Sequence, residues 1–139
     1  MRKSLTLLAV MFIVSLASAQ KVPNKEVPTV VKNGLQKQFP NAKNVKWEKE
    51  DGNYEAGFEI NETDYSVLLG ATGNIIETET EISIESLPAT VKAYLAKHYT
   101  KQKIKEAAKI IDAKGTITYE AEVKGKDLLF DKNGNFIKQ

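Results

Sequence analysis

The feature that most constrains this chain is a duplication. Val27-Pro28 reappears as Leu87-Pro88, an offset of 60. Val31-Lys32, Leu35 and Phe39 reappear at the same offset as Val91-Lys92, Leu95 and Tyr99. Tyr54-Glu55-Ala56 returns as Tyr119-Glu120-Ala121 at an offset of 65, and Gly73-Asn74 returns as Gly134-Asn135 at 61. The offset changes only where turns are expected, and insertions there cost little. Whatever one copy folds into, the other must also adopt, and the two must bury each other's incomplete surfaces.

Each copy begins with a helix. Pro28 and Pro88 suit a first helical turn, where a missing N–H donor costs nothing. Val30, Val31, Gly34, Leu35 and Phe39 recur at helical spacing, as do Val91, Tyr94, Leu95 and Tyr99 in the second copy. Gly34 weakens a helix interior, and close packing against the sheet is one reason for it to stand there.

Strands follow, marked by two-residue alternation. Val45 and Trp47 share a face, expected over Ala42–Glu48. In the next strand Tyr54, Ala56, Phe58 and Ile60 face one way, and Glu55 and Glu59 the other. Tyr65, Val67 and Leu69 point inward, and Ile76 to Ile84 alternate with Glu77, Glu79 and Glu81. Asp51-Gly52, Gly73-Asn74, Lys124-Gly125 and Asn133-Gly134 supply the turns. The stretch Lys103–Ile111 is mixed in pattern: Ile104, Ala108 and Ile110 suggest a strand, whereas Glu106-Ala107-Ala108 would also extend a helix, and comparison with the first copy makes it a strand. The fold class is therefore α+β: a tandem repeat of a helix plus a four-stranded antiparallel meander, residues 27–85 and 86–139. The two copies form one continuous twisted antiparallel sheet with both helices on one face.

The first residues read as an export signal. Arg2 and Lys3 precede an apolar run from Leu5 to Leu16, and Ala17-Ser18-Ala19 offers the small residues at which a signal peptidase cuts. Residues 1–19 are thus expected to be a signal peptide and 20–139 a single domain, periplasmic or secreted, with no stable membrane insertion after cleavage. Without Arg2 and Lys3, 18 basic residues balance 18 acidic ones, so net charge gives no reason to expect nucleic acid. The charges divide unevenly: 7 Lys face 12 acidic residues in Gln20–Glu85, and 11 Lys face 6 in Ser86–Gln139. Such a dipole suits packing of the halves or weak pairing of two molecules, and the expected state is a monomer or weak dimer. The chain has no cysteine, which removes disulfides and thiolate chemistry, so stability must come from an apolar core.

The repeated Leu/Val-Pro-x-x-Val-Lys, the Val45-x-Trp47 pair, Tyr54-Glu55-Ala56-x-Phe58 and Gly73-Asn74-Ile75-Ile76 resemble the PepSY-like periplasmic protein family. Ala17-Ser18-Ala19-Gln20 resembles the signal end of exported Bacteroidetes proteins. The resemblance spans the mature chain and implies a fold like that of the β-lactamase-inhibitor protein. It implies binding or inhibition of exported proteins and carries no catalytic residues. The genuine inhibitors are larger and disulfide-bonded, so β-lactamase inhibition does not transfer with the fold.

Residue chemistry agrees with a non-enzymatic role. His98 is the single histidine, placed at a helix C-terminus, and the absence of cysteine removes the common zinc sites. Asp131-Lys132-Asn133-Gly134-Asn135 starts like a calcium loop but lacks its closing Glu and is read as a β-turn. Lys97, Lys101, Lys103, Lys105 and Lys109 are read as a solvated basic face. No cofactor or metal is expected. The sheet face opposite the helices carries Glu55, Glu59, Glu77, Glu79, Glu120 and Glu122, and it is the candidate face for an envelope protein or peptide. Trp47 is assigned to the core; exposed beside Tyr54 or Tyr65, it would instead be an aromatic contact for a partner. Two alternatives stand beside this reading. One is a small-molecule or cation carrier with a cleft between the repeats. The other is a carboxylate-based enzyme, which needs two buried acids across a pocket.

Overall fold

The computed structural model describes residues 19–138. The signal peptide expected over residues 1–19 thus lies, apart from Ala19, outside the described residues. Nine strands run in chain order through one open antiparallel sheet: β1 (Gln20–Val22), β2 (Lys46–Glu50), β3 (Asn53–Ile60), β4 (Thr63–Leu69), β5 (Ile75–Ile82), β6 (Ile104–Asp112), β7 (Ile117–Val123), β8 (Lys126–Asp131) and β9 (Phe136–Lys138). Helix α1 (Thr29–Gln38) precedes β2 and α2 (Ala89–His98) precedes β6.

Both helices start just after proline and end before the aromatic cap, where Phe39 N–H donates to Leu35 O and Tyr99 N–H to Leu95 O. Each is preceded by a single 3-10 turn, Asn24–Glu26 or Ile84–Ser86. A helical lysine ties that turn down in both copies: Lys32 Nζ donates to Asn24 O at 3.2 Å, and Lys92 Nζ to Glu85 O at 3.1 Å.

The four-strand expectation for each copy needs one addition. The polar lead-in at Gln20–Val22 is itself a strand, pairing Val22 with Trp47. Its counterpart sixty residues on is the end of β5, where Ile82 pairs with Ala107. The long β5 therefore closes the first repeat and opens the second, and β5–β6 pairing makes the sheet continuous. The expected strand over Ala42–Glu48 starts later, at Lys46, and runs to Glu50.

Registers fix the faces. Ala56 pairs with Val67, Val67 with Thr78, and Ala107 with Ala121, which pairs with Leu128. Thr78 and Ile82 share a face of β5, so both halves present these residues to the same side. Val31 and Leu35 of α1 pack there on Trp47, Tyr54, Ala56, Phe58, Val67 and Leu69. Val91 and Leu95 of α2 pack on Ala107, Ala121, Val123, Leu128 and Phe130. Both helices thus lie on one face. The mixed stretch is a strand, with one interruption of its alternation: Ile104 joins the helix-side cluster, while Ala108 and Ile110 are on the other face. A register shift between Ile104 and Glu106 separates them, since one extra residue reverses the side on which later side chains emerge.

Candidate functional site

The side of the sheet away from the helices gathers the acids. Glu55 pairs across the strands with Leu68, Leu68 with Glu77, and Glu77 with Asp112. One step along, Ser66 pairs with Glu79 and Glu79 with Ile110. On the far side of β6, Ala108 pairs with Glu120 and Glu120 with Leu129, while Glu122 pairs with Glu106 and Asp127. Five of the six glutamates expected on this face converge here. Glu59 also belongs to the face but is exposed at its rim, opposite Asp64.

The acids of this face crowd one another. Glu79 on β5 feels the charge of Asp127 on β8, and Glu77 on β5 that of Lys138 on β9. Crowding of this kind takes long side chains out of water. Glu120 is only 2% exposed, and Glu55 and Glu122 are also buried. Ala108, Ile110 and Leu129, apolar residues of the same face, are buried as well and belong to neither helix-packed cluster.

Burial of carboxylates disfavours their charged form, and neighbouring carboxylates add to the effect. Desolvation, then the charges of Glu120, Glu55, Glu77 and Asp127, push Glu79 up to about 9. Desolvation, then Asp127, Glu122, Glu77 and Glu106, push Glu120 up to about 8. Burial also raises Glu55, Glu77, Glu106 and Asp127 above the ordinary carboxylate range. The Ser66 hydroxyl donates to Glu55 Oε1 at 2.6 Å and offsets part of that rise. Glu122 accepts an ion pair from Lys105 at 3.6 Å, while its Oε2 and the Oε2 of Glu120 are buried with no hydrogen-bond partner.

Along the strands the shifted acids of the face move upward, and Glu77 lies opposite one that moves downward, Asp112. The two acids shifted downward, Asp112 and Asp131, are turn residues: each accepts from backbone N–H groups of its own hairpin, Asp112 from Lys114 and Thr116, Asp131 from Asn133 and Asn135. Asp131 thus closes a β-turn. Among the described residues, no group of three or more histidine or acidic side chains has the geometry to hold a metal ion. The seam between repeats is a hydrogen-bonded strand pair rather than a cleft. A cavity of about 120 Å³ does open on the acidic face, lined by Glu50, Asn53, Glu55, Ser66, Glu77 and Glu79.

Trp47 is 4% exposed within the first core cluster, and its indole N–H has no partner. Sequence alternation placed the glutamates but missed the apolar strip between them. Ile110 lay hidden because uninterrupted alternation would put it on the face of Ile104, and the bulge between them reverses that. Asp127 and Glu106 join the cluster as cross-strand neighbours of Glu122, a pairing that the alternation within a single strand does not show.

Comparison with known proteins follows from this geometry. The family model described as "Putative beta-lactamase-inhibitor-like, PepSY-like" matches twice, over residues 15–77 and 69–138. Solved structures share the architecture. A periplasmic protein from Bacteroides eggerthii superposes with a TM-score of 0.74 at 20% identity, covering 81% of this chain and 87% of that one. A DUF2874 family protein from Bacteroides uniformis gives 0.72 at 22% identity, over 80% and 86%. A BLIP-like protein from Bacteroides fragilis gives 0.66 at 24% identity, over 84% of both chains. At these identities the likeness establishes the fold. Comparison with proteins of curated function finds no match.

Proposed function

Since this chain belongs to the PepSY-like, β-lactamase-inhibitor-like family, we propose that it is an exported, non-enzymatic binding module that engages a protein or peptide of the cell envelope through the open face of its sheet. One observation carries the reading. The helices occupy one face, and no described helix covers the other, where buried acids and apolar residues lie side by side. Such a face is costly to keep for stability alone, because buried charge and unpartnered polar atoms oppose folding. Recognition is a function that repays that cost.

Export is supported by the basic, apolar and small-residue order of residues 1–19, and by the periplasmic description of the Bacteroides eggerthii relative. No described helix is long and apolar enough to cross a membrane. The test is site-specific photocrosslinking in intact cells. A photoreactive side chain at Leu68, on the open face, is expected to trap a partner; one at Asn33, exposed on α1, is not. Adducts from Asn33 alone, or from neither site, would overturn the reading.

A further inference from the structure

Resting on that reading, we infer that the occupant of the open face is a cationic amphipathic segment, whose lysine or arginine side chains reach the group of Glu79, Glu120 and Glu122 while its apolar side chains cover Leu68. Three independent observations lead there. The first is an unmet hydrogen-bonding demand. Glu120 is 2% exposed, its Oε2 has no partner, and its cross-strand neighbours on the face, Ala108 and Leu129, have side chains that cannot donate. Buried polar atoms are ordinarily paired, so a donor is missing. The buried Oε2 of Glu122 makes the same demand beside it.

The second observation is a lysine already used in this way. Lys105 lays its ammonium 3.6 Å from Glu122 Oε1 although its own side chain is 60% exposed. A primary ammonium thus reaches Glu122 from solvent, and Glu120 lies two residues along the same strand on the same face. The third is the arrangement of apolar and acidic groups. Leu68 lies between Glu55 and Glu77, Ile110 beside Glu79, and Leu129 beside Glu120. Ile110 and Leu129 are already buried within the face and Leu68 is half-buried, so a purely apolar partner would leave the acids unpaired and a free polycation would leave Leu68 uncovered. Charge complementarity and burial together select a segment that alternates the two.

Protonation makes the inference measurable. Glu79 is faced by Glu120 on β7, Glu55 on β3, Asp127 on β8 and its own neighbour Glu77. Glu120 is faced by Asp127 on β8, Glu106 on β6, Glu77 on β5 and Glu122 beside it. The cations near these groups are Lys138, close to Glu77, and Lys105, on Glu122. Both carboxyls hold a proton near neutrality. A bound ammonium favours the ionised form, so binding expels protons and tightens as pH rises towards 8.

The experiment titrates the full chain calorimetrically with a dodecapeptide of alternating lysine and leucine. Controls are the glutamine–leucine and glutamate–leucine peptides, spermidine and calcium chloride. The lysine peptide is expected to bind at least about tenfold more tightly than the glutamine peptide and to release roughly one proton or more, read from buffers of different ionisation enthalpy. Combining Glu79→Gln with Glu120→Gln is expected to abolish the proton release, while Glu85→Gln, in the exposed turn before α2, leaves it unchanged. Equal binding of the lysine and glutamine peptides overturns the cationic inference and leaves the binding face standing. So does failure of all probes while Leu68 still crosslinks a partner. Tight binding of spermidine or calcium with the same proton release also overturns it, since the apolar contact would then be irrelevant. Absence of the Leu68 crosslink removes the underlying reading itself.

Discussion

The two repeats solve the same packing problem with different side chains. In the first, Gly34 brings α1 against the β4–β5 turn: a Cβ there would lie 2.1 Å from Gly73 O. In the second, the equivalent residue is Tyr94, which stacks on Phe136 and His98 and meets Phe130 edge-on. Trp47 in the first repeat corresponds by register to Ala107 in the second. The first half is thus built on close backbone approach around a tryptophan, with Phe39, Phe58 and Tyr65 clustered beside it, and the second on an aromatic stack over a smaller sheet residue. Helix position and sheet register are preserved, so the fold depends on pattern and filled volume rather than on particular side chains.

That comparison can be broken at its strongest point. Phe130 is fully buried at the centre of the second aromatic group. Phe130→Ala is expected to cost about 3–5 kcal/mol. Trp47 is the single tryptophan and lies in the first repeat, so its fluorescence reports that half. Because β5 and β6 are paired, the Trp47 transition in denaturant is expected to shift with the far-ultraviolet circular dichroism of the whole sheet. A Trp47 midpoint unchanged by this substitution would mean that the halves unfold separately.

The next largest effect separates the two packing modes. Gly34→Ala drives a methyl into backbone, where no flexible side chain can yield, and is expected to cost about 2–3 kcal/mol. Tyr94→Ala, at the equivalent position, removes a half-buried ring and is expected to cost about 1–3 kcal/mol by loss of packing instead. A neutral Gly34→Ala in chemical denaturation would show that α1 does not sit against Gly73.

A smaller effect tests the carboxylates that the two halves share. Glu79 and Glu120 keep their protons up to about 9 and about 8 in the folded chain, against an ordinary 4.5. Between these values the folded state binds more protons than the unfolded state, so stability falls as pH rises. The contribution is full below 4.5 and is lost as pH passes through 8 and 9. Glu79→Gln, which mimics the neutral acid, is expected to flatten that decline and to raise Tm by about 2–5 °C at alkaline pH. Thermal melts across the pH range read the slope directly. The smallest expected change is at the rim: Lys105→Ala removes a largely exposed cation and is expected to shift stability by less than about 1 kcal/mol.

Much of this architecture was legible in the chain. Pro28 and Pro88 marked helix starts because proline needs no donor there, and Asp51-Gly52 and Lys124-Gly125 marked hairpins because both residues of each pair adopt positive φ. Three things were not legible, each for a physical reason. Strand β1 has three residues, too few to show a period, and appears only through its likeness to the end of β5. The bulge after Ile104 inverts the face of everything that follows it, so Ile110 could not be placed by counting. The candidate site was legible as a row of glutamates, but the burial of Glu120 depends on side chains of neighbouring strands, which alternation within its own strand does not show.

The central claim is that the seam between repeats gathers acids that stay protonated until a cation arrives. Carboxyl carbon-13 NMR of Glu79 and Glu120 through a pH titration tests it most directly. Midpoints near 9 and 8 are predicted, both falling when the lysine–leucine peptide is bound. Midpoints near 4.5 for both residues in the free chain would contradict the account.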